Sequence, residues 1–210
     1  MTVITVVLSI VFVNHVSASQ SNEESLDQQI ESAKNIKLVQ KFFSFSTSYD
    51  IIIDGDVVGH IKGDFFHPFG DDLKIQTLDG QTIYAEHQQR RLLNLSLTRG
   101  GVFINKSGNI DGAIREEMFW LFEHQFKIYD QDGHHVGQSY QDPWHFFSTI
   151  YKITDSKDKP IIQGKMESLH LTKQIKVSRI KSSKKISMKQ ALIIITVEEA
   201  IDDANSSKDD

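Results

Sequence analysis

The stretch Phe126-Lys127-Ile128-Tyr129-Asp130-Gln131-Asp132-Gly133-His134-His135-Val136-Gly137 contains two short apolar runs joined at an Asp-Gly pair. Apolar and polar residues alternate before the pair, which is the period of a β-strand with one buried face. Asp-Gly pairs tolerate the positive φ angles that tight hairpin turns require. The stretch therefore predicts a β-hairpin, with a type I′ turn at Asp130–Gly133.

The same outline recurs four more times along the chain, and the last copy has lost the glycine of its turn. These copies are Tyr49–Gly59, Leu73–Ala85, Val102–Gly112 and Tyr151–Gly164. Further single strands are predicted at Leu38–Ser46, Leu92–Thr98 and Leu171–Ile180, so that the total is about twelve antiparallel strands. A sheet of that size either splits into a sandwich or curls and closes.

The C-terminal segment decides between these two architectures. Ser187 and Gln190 have the spacing of a capping box, and the residues from Ala191 to Ile201 are apolar around most of a helical wheel. A helix that is apolar all round must be buried on all sides, and a barrel of about twelve strands is wide enough to hold one. The alternative is that Leu192–Val197, which is rich in β-branched residues, forms one more buried strand.

The capping pattern and the run Glu198-Glu199-Ala200 favour the helix. We therefore predict a mainly β protein, a closed antiparallel barrel of about twelve strands built from repeated hairpins. A buried C-terminal hydrophobic helix near residues 187–203 fills this barrel.

The first residues of the chain resemble a sorting signal. The apolar run Val3–Val13 is followed by the small residues Val16-Ser17-Ala18, which predicts a signal peptide at residues 1–18, cleaved near Ala18. An uncleaved anchor is the alternative, but the run is shorter than the roughly 20 residues of a spanning helix. We expect a secreted or periplasmic protein without a transmembrane span in the mature chain.

Residues 19–35 are rich in Ser, Gln, Asn and Glu, and we interpret them as a polar leader into the fold. Leu26, Ile30 and Ala33 have near-helical spacing, so a short amphipathic helix lying against the domain remains an alternative. The barrel domain is then expected at residues 36–204, followed by a polar tail at residues 205–210.

Composition restricts the classes of function. The 210 residues carry a net charge of −5, and 39% of them are hydrophobic, which fits a globular fold rather than a disordered chain. The acidic balance argues against a nucleic-acid partner. The chain has no cysteine, which excludes thiol nucleophiles, disulfides and thiolate metal sites.

The repeated aromatic-x-Ile-x-Asp-x-Asp-Gly-x-x-Val-Gly hairpin, followed by an apolar C-terminal helix, resembles the tubby C-terminal-like group. This group includes the LURP-one-related proteins and the phospholipid scramblases. The resemblance covers about residues 36–204 and implies a twelve-stranded barrel around a central hydrophobic helix.

The functions of the group match this sequence to different degrees. Tubby-type domains bind phosphoinositides through paired basic residues, and no such pair can be matched here. Scramblase-like members are associated with calcium, cysteine acylation and membrane attachment, and this chain has no cysteine. The hairpins are most similar to those of the LURP-one-related members, for which no enzymatic chemistry is implied. Together with the predicted signal peptide, the resemblance leads us to expect an exported, non-enzymatic binding or structural module.

One segment has a strong local excess of positive charge. It places seven cations within seventeen residues: Lys173, Lys176, Arg179, Lys181, Lys184, Lys185 and Lys189. Such a run is a solvated linker that balances acidic neighbours, or it binds anionic lipid head groups or another polyanion. The alternative to the LURP-one-related module is thus a peripheral binder of anionic phospholipid. A protein partner is the other possibility.

No motif predicts a catalytic residue, a metal or a cofactor. Asp130-Gln131-Asp132-Gly133 lacks the third acidic position and the closing Glu of a calcium loop. The histidines have no metal-ligand spacing, and no Gly-x-Ser-x-Gly motif marks a serine nucleophile.

Overall fold

The structure is a computed structural model, and it describes residues 26–41, 48–63, 72–88, 100–118, 124–142, 148–167 and 172–206. A short helix, α1 (residues 26–32), precedes twelve β-strands, and a longer helix, α2 (Met188–Ser206), follows them. The strands are β1 Asn35–Gln40, β2 Ser48–Ile53, β3 Asp56–Gly63, β4 Leu73–Thr77, β5 Thr82–Gln88, β6 Gly100–Asn105, β7 Ile110–Met118, β8 His124–Tyr129, β9 His135–Asp142, β10 Ser148–Asp155, β11 Pro160–Glu167 and β12 Gln174–Arg179.

The strands form one closed antiparallel barrel in which each strand pairs with its neighbours in sequence. The barrel closes between β1 and β12, where Leu38 lies opposite Ile175 and Ile36 lies opposite Val177. The predicted barrel is confirmed, and the sandwich is excluded. Residues 1–18, most of Leu38–Ser46 and all of Leu92–Thr98 lie outside the described residues, and β1 begins at Asn35 rather than at Leu38.

Antiparallel pairing places five hairpin tips at one end of the barrel, which we call the turn end. These tips lie at residues 54–55, 78–81, 106–109, 130–134 and 155–159. Strand β12 also finishes there, so α2 enters the barrel from the turn end. The opposite end is called the loop end.

Helix α2 occupies the interior of the barrel. Every residue from Gln190 to Glu199 is buried, and the side chains of Leu192, Ile193, Ile194 and Ile195 are fully inaccessible. The wall lies so close that a Cβ on Gly164 would come within 3.0 Å of Ile195 Cδ1. The alternative interpretation of Leu192–Val197 as a strand is therefore wrong.

The capping box at the start of α2 forms as its spacing predicts. The backbone N–H of Gln190 donates to Ser187 Oγ over 3.1 Å, and the backbone N–H of Ser187 donates to Gln190 Oε1 over 2.9 Å. Two helix-terminal donors are thereby satisfied at the barrel mouth, where water has limited access.

Four of the five hairpins share a single kind of turn. In each, the first turn residue accepts a backbone N–H from the fourth, and only the fourth residue has a positive φ. The first residues are Thr77, Asn105, Asp130 and Asp155, and the fourth are Gly80, Gly108, Gly133 and Asp158.

One positive φ followed by a register shift describes a type I turn with a left-handed residue and a bulge. The type I′ turn predicted at Asp130–Gly133 is therefore wrong, because φ is positive only at Gly133 (79°). The remaining hairpin has two positive φ values, 52° at Asp54 and 98° at Gly55, as a type I′ turn requires.

The segment interpreted as a polar leader is in part a component of the fold. Leu26, Ile30 and Ala33 are buried in the same apolar core as α2. Glu31 on α1 accepts the backbone N–H groups of Met188 over 3.1 Å and Lys189 over 3.2 Å, so α1 provides a second cap for α2. The short amphipathic helix of the alternative interpretation is present as α1, at residues 26–32.

None of the helices among the described residues is long and apolar enough to cross a bilayer.

Leu192→Ala tests the contribution of the central helix to stability. We expect the free energy of unfolding to fall by about 3 kcal/mol, because a cavity forms where the barrel wall cannot collapse. Leu78→Ala is the matched control, since Leu78 is 61% exposed and its truncation should cost less than about 0.5 kcal/mol. Urea titration followed by circular dichroism measures both, and equal midpoints for the two variants would contradict a buried α2.

Candidate functional site

The seven cations of the Lys173–Lys189 segment do not form one patch in the fold. Three of them neutralise acidic side chains around α2 and are unsuited to a ligand. These pairs are Lys173 with Glu199, Arg179 with Glu31 and Lys189 with Asp27. The guanidinium of Arg179 also donates to the backbone carbonyl of Glu31 over 2.7 Å, so α1 is attached to the end of β12.

The other four cations are exposed but are separated into two places. Lys176 lies midway along β12, in register with Lys37 on β1 and Lys165 on β11. Lys181, Lys184 and Lys185 lie at the turn end, in the segment that leads from β12 into α2.

A pocket of about 420 Å³ opens at the turn end, between the β10–β11 tip and this leading segment. Four lysines line it: Lys157 and Lys159 from the hairpin tip, and Lys181 and Lys185 from the segment before α2. Ser156 and Ser183 also line it. We call this feature the lysine pocket.

Asp155 is the acidic residue among the described lining, and it holds the hairpin tip in shape. Its Oδ1 accepts the backbone N–H groups of Lys159 over 3.0 Å and Lys157 over 2.9 Å. These two hydrogen bonds, together with the nearby charges of Lys181 and Lys159, lower the pKa of the Asp155 carboxyl. Asp155 is thus ionised and engaged by the backbone, while the lysine side chains remain directed to the pocket.

The other wall of the pocket is also fixed by backbone hydrogen bonds. The N–H groups of Ile180 and Lys181 both donate to the carbonyl of Ile161, at 2.8 and 3.1 Å. Ser183 Oγ accepts the N–H groups of Lys185 and Ile186, each over 3.1 Å, and Ile186 is buried in the core. The lysines are therefore mounted on two anchored segments, which reduces the entropy lost when they hold a ligand.

Among the described residues, none of the four pocket lysines has a contact ion pair with an acidic side chain. Ammonium groups and hydroxyls are donors that suit a phosphate-type anion, and lysine binds phosphate as a compact point charge. The arrangement can hold such an anion electrostatically.

Sequence reasoning does not predict Lys157 and Lys159, because they are far from Lys181 in the chain. The signal that could have found them is the fourth hairpin copy. Its second strand, β11, pairs with β12, so the tip at residues 155–159 must lie beside the segment that follows β12.

A second group of polar side chains lies at the neighbouring β8–β9 tip. Asp130, Asp132 and His134 each offer one ligand atom, and these atoms all lie within 4.8 Å of one another. Asp130 Oδ1, however, accepts the backbone N–H groups of His134 over 2.9 Å and Asp132 over 3.1 Å, and these bonds lower its pKa. The turn itself explains this geometry, and we assign no metal to it.

Two acidic side chains of α2 lie inside the barrel, each only 1% exposed. Ser139 Oγ donates to Glu198, the Tyr151 hydroxyl donates to Glu199, and Glu199 also pairs with Lys173. These contacts attach the C-terminal half of α2 to β9, β10 and the start of β12. The two carboxylates therefore have a structural explanation.

Glu86 on β5 is a third buried acid, also 1% exposed. Gly101 on β6 leaves room for it, since a Cβ there would lie only 1.6 Å from Glu86 Oε1. Glu86 Oε2 has no hydrogen-bond partner among the described residues. Burial and the charge of Asp72 raise the pKa of Glu86 to about 8, so the carboxyl is neutral at pH 7.

Comparisons of the chain with protein-family models, with curated proteins and with solved structures find no match. The candidate function therefore depends on the geometry of the turn end.

Glu86→Gln tests the buried acid through the pH dependence of stability. Because the folded-state pKa of about 8 exceeds the ordinary glutamate pKa of 4.5, the folded state binds more protons between these pH values. The contribution of Glu86 to the free energy of unfolding is fully present at pH 4.5 and below, and it is lost as the pH rises to 8. The free energy of unfolding falls over this range by at most about 1.4 kcal/mol per pH unit.

We expect Glu86→Gln to lose that slope and to be more stable than the native chain above pH 8, as measured by urea titrations across the range. Asp56→Asn, which removes an exposed carboxyl, is the control and should retain the slope. A native protein whose stability does not fall between pH 5 and 8 would show that Glu86 is ionised when folded.

Proposed function

We propose that this protein is a non-enzymatic binding module that holds a phosphate-type anion in the lysine pocket. The observation that carries the proposal is the convergence of Lys157, Lys159, Lys181 and Lys185 from two anchored segments on one concavity. Each cation that faces an anionic surface contributes about 1 kcal/mol. Four together support specific binding that weakens as salt is added.

The proposal narrows the broader expectation of a peripheral binder that uses the whole Lys173–Lys189 segment. Lys173, Arg179 and Lys189 compensate acids of the core and of α1, so their removal should affect stability first. Lys157 and Lys159 replace them as ligand-facing cations. The described lining of the pocket contains no histidine, and its single carboxylate is engaged by backbone N–H groups, which favours binding over catalysis.

The suggested kinship with the tubby-like and LURP-one-related proteins remains part of this proposal. A twelve-stranded closed barrel around a buried C-terminal helix is the architecture that the resemblance implies, and this supports it. Export after cleavage near Ala18 likewise remains an expectation. The phosphate could then belong to a soluble ligand or to a lipid head group.

The double variant Lys181→Gln/Lys185→Gln tests the pocket. We expect it to weaken the binding of inorganic pyrophosphate by about 30-fold, which corresponds to two cations at about 1 kcal/mol each. Isothermal titration calorimetry at low salt measures the affinity.

The control Lys62→Gln/Lys165→Gln removes the same charge from exposed positions outside the pocket and should change the affinity less than about twofold. Sedimentation with phosphatidylcholine vesicles, with and without phosphatidylserine, separates a lipid head group from a soluble anion as the source. Equal losses in the two double variants would show that only net charge matters and would overturn the proposal.

A further inference from the structure

The large apolar side chains that the described residues leave exposed all lie at the turn end. Val57 follows the β2–β3 tip, Leu78 lies in the β4–β5 tip, Ile110 follows the β6–β7 tip and Ile180 follows β12. Their exposures are 41, 61, 56 and 53%. Exposed apolar residues that collect on one face of a soluble fold indicate an interaction surface.

The charges of the turn end differ from one position of the rim to the next. Exposed acids accompany the apolar residues on one side: Asp54 and Asp56 beside Val57, and Asp79 beside Leu78. Exposed lysines lie at two other positions: Lys34, Lys181, Lys184 and Lys185 at the β12–β1 junction, and Lys157 and Lys159 in the β10–β11 tip, which also carries Asp155 and the exposed Asp158. The two remaining tips also differ in sign, with Lys106 between β6 and β7, and Asp130 and Asp132 between β8 and β9.

The strand order fixes where these sectors lie around the rim. Five hairpin tips and the β12–β1 junction make six positions, spaced by about 60° around a closed twelve-stranded barrel. The acidic tips β2–β3 and β4–β5 are neighbours, and the basic β12–β1 junction lies between the β2–β3 tip and the mixed-charge β10–β11 tip.

When two copies meet face to face, a single twofold axis lying in the plane of this end brings the six positions together in pairs. It places the acidic β2–β3 tip against the basic β12–β1 junction, which is the strongest charge match. The β4–β5 tip with Asp79 then lies against the mixed-charge β10–β11 tip, which carries Lys157 and Lys159 beside Asp158. The β6–β7 tip, with Lys106, then meets the acidic β8–β9 tip. Val57 of one copy approaches Ile180 of the other, so that apolar contacts accompany the charge pairs.

We infer that the turn end is a self-complementary interface through which two copies of this chain associate head to head. Isologous twofold contacts are the commonest arrangement of soluble homo-oligomers. An anionic bilayer fits this face less well. Asp54, Asp56 and Asp79 lie beside the apolar residues that would insert, and they would be repelled by the negatively charged lipid head groups.

The size of the face sets the expected strength. Strands about 4.8 Å apart and tilted by about 40° give a twelve-stranded barrel about 24 Å across, or about 500 Å² per copy. The total of about 1,000 Å² is at the lower limit of specific interfaces. The dimer should therefore be weak, reversible and sensitive to salt.

Two charge variants of the full chain test the pairing. The acidic-tip variant is Asp54→Asn/Asp56→Lys, in which Asn tolerates the positive φ of residue 54. The basic-segment variant is Lys34→Glu/Lys181→Glu/Lys184→Glu. In a head-to-head dimer each variant opposes like charges at both contacts, whereas a mixed pair restores opposite charges at both.

We expect sedimentation velocity at low salt to show a concentration-dependent dimer for the native chain and monomers for each variant alone. An equimolar mixture of the two variants should recover a 1:1 heterodimer, and circular dichroism confirms that both are folded. Val57→Ser/Ile180→Ser should weaken the native dimer in the same assay. Leu192 and the remaining core are unchanged in all these variants.

The inference is overturned if the native chain stays monomeric up to about 1 mM, or if the mixed variants do not associate. It is also overturned if the native monomer instead binds anionic vesicles in a way that Val57→Ser/Ile180→Ser abolishes. The acidic-tip variant keeps every residue of the lysine pocket. It should therefore still bind pyrophosphate, so failure of the dimer and failure of the proposed anion site remain distinguishable.

Discussion

The structure depends on removing the whole circumference of α2 from water. A helix with apolar residues on every side cannot lie on a sheet, because one face would remain exposed. The hairpins must therefore close around it, and the seam between β1 and β12 is where that requirement is met. The interior is shaped accordingly, since Gly164 of the wall has no side chain where Ile195 of α2 packs against it.

The same burial explains why so many polar contacts concentrate at the ends of α2. Backbone groups and carboxylates that are removed from water need hydrogen-bond or ion-pair partners, and α2 contacts such partners near its two ends. At the turn end these partners are Ser187, Gln190 and Glu31. Farther along α2, Ser139 donates a hydrogen bond to Glu198, Tyr151 donates one to Glu199, and Lys173 forms an ion pair with Glu199. Glu86 has an oxygen without such a partner among the described residues, and its neutral form is the physical response to that environment.

The fold could be predicted from sequence because its determinants are local. The alternation in Leu73–Thr77, the Asp-Gly turns and the apolar run after Ser187 each specify an element without knowledge of the rest. The pocket could not be predicted in the same way. Lys157 and Lys181 are brought together by the pairing of β11 with β12, and the neutralisation of Lys173 by Glu199 depends on the rotation of α2 inside the barrel. A run of cations in the sequence therefore overstates the size of the basic surface. The strand order shows which lysines lie together at the turn end.

The two roles proposed for the turn end use the same lysines and should oppose each other. Lys157, Lys159 and Lys181 line the pocket, and they also face the acidic β4–β5 and β2–β3 tips of a second copy in the head-to-head arrangement. An anion held in the pocket neutralises charge that the partner's aspartates would otherwise meet, so it must weaken self-association. By thermodynamic linkage, self-association weakens anion binding by the same factor. Three of the four exposed apolar residues, Val57, Leu78 and Ile110, lie at other tips than the pocket, so a bound anion does not cover them. Anion binding would then shift the chain towards monomers whose apolar tips are uncovered, which couples the occupant of the pocket to the surface that the barrel presents.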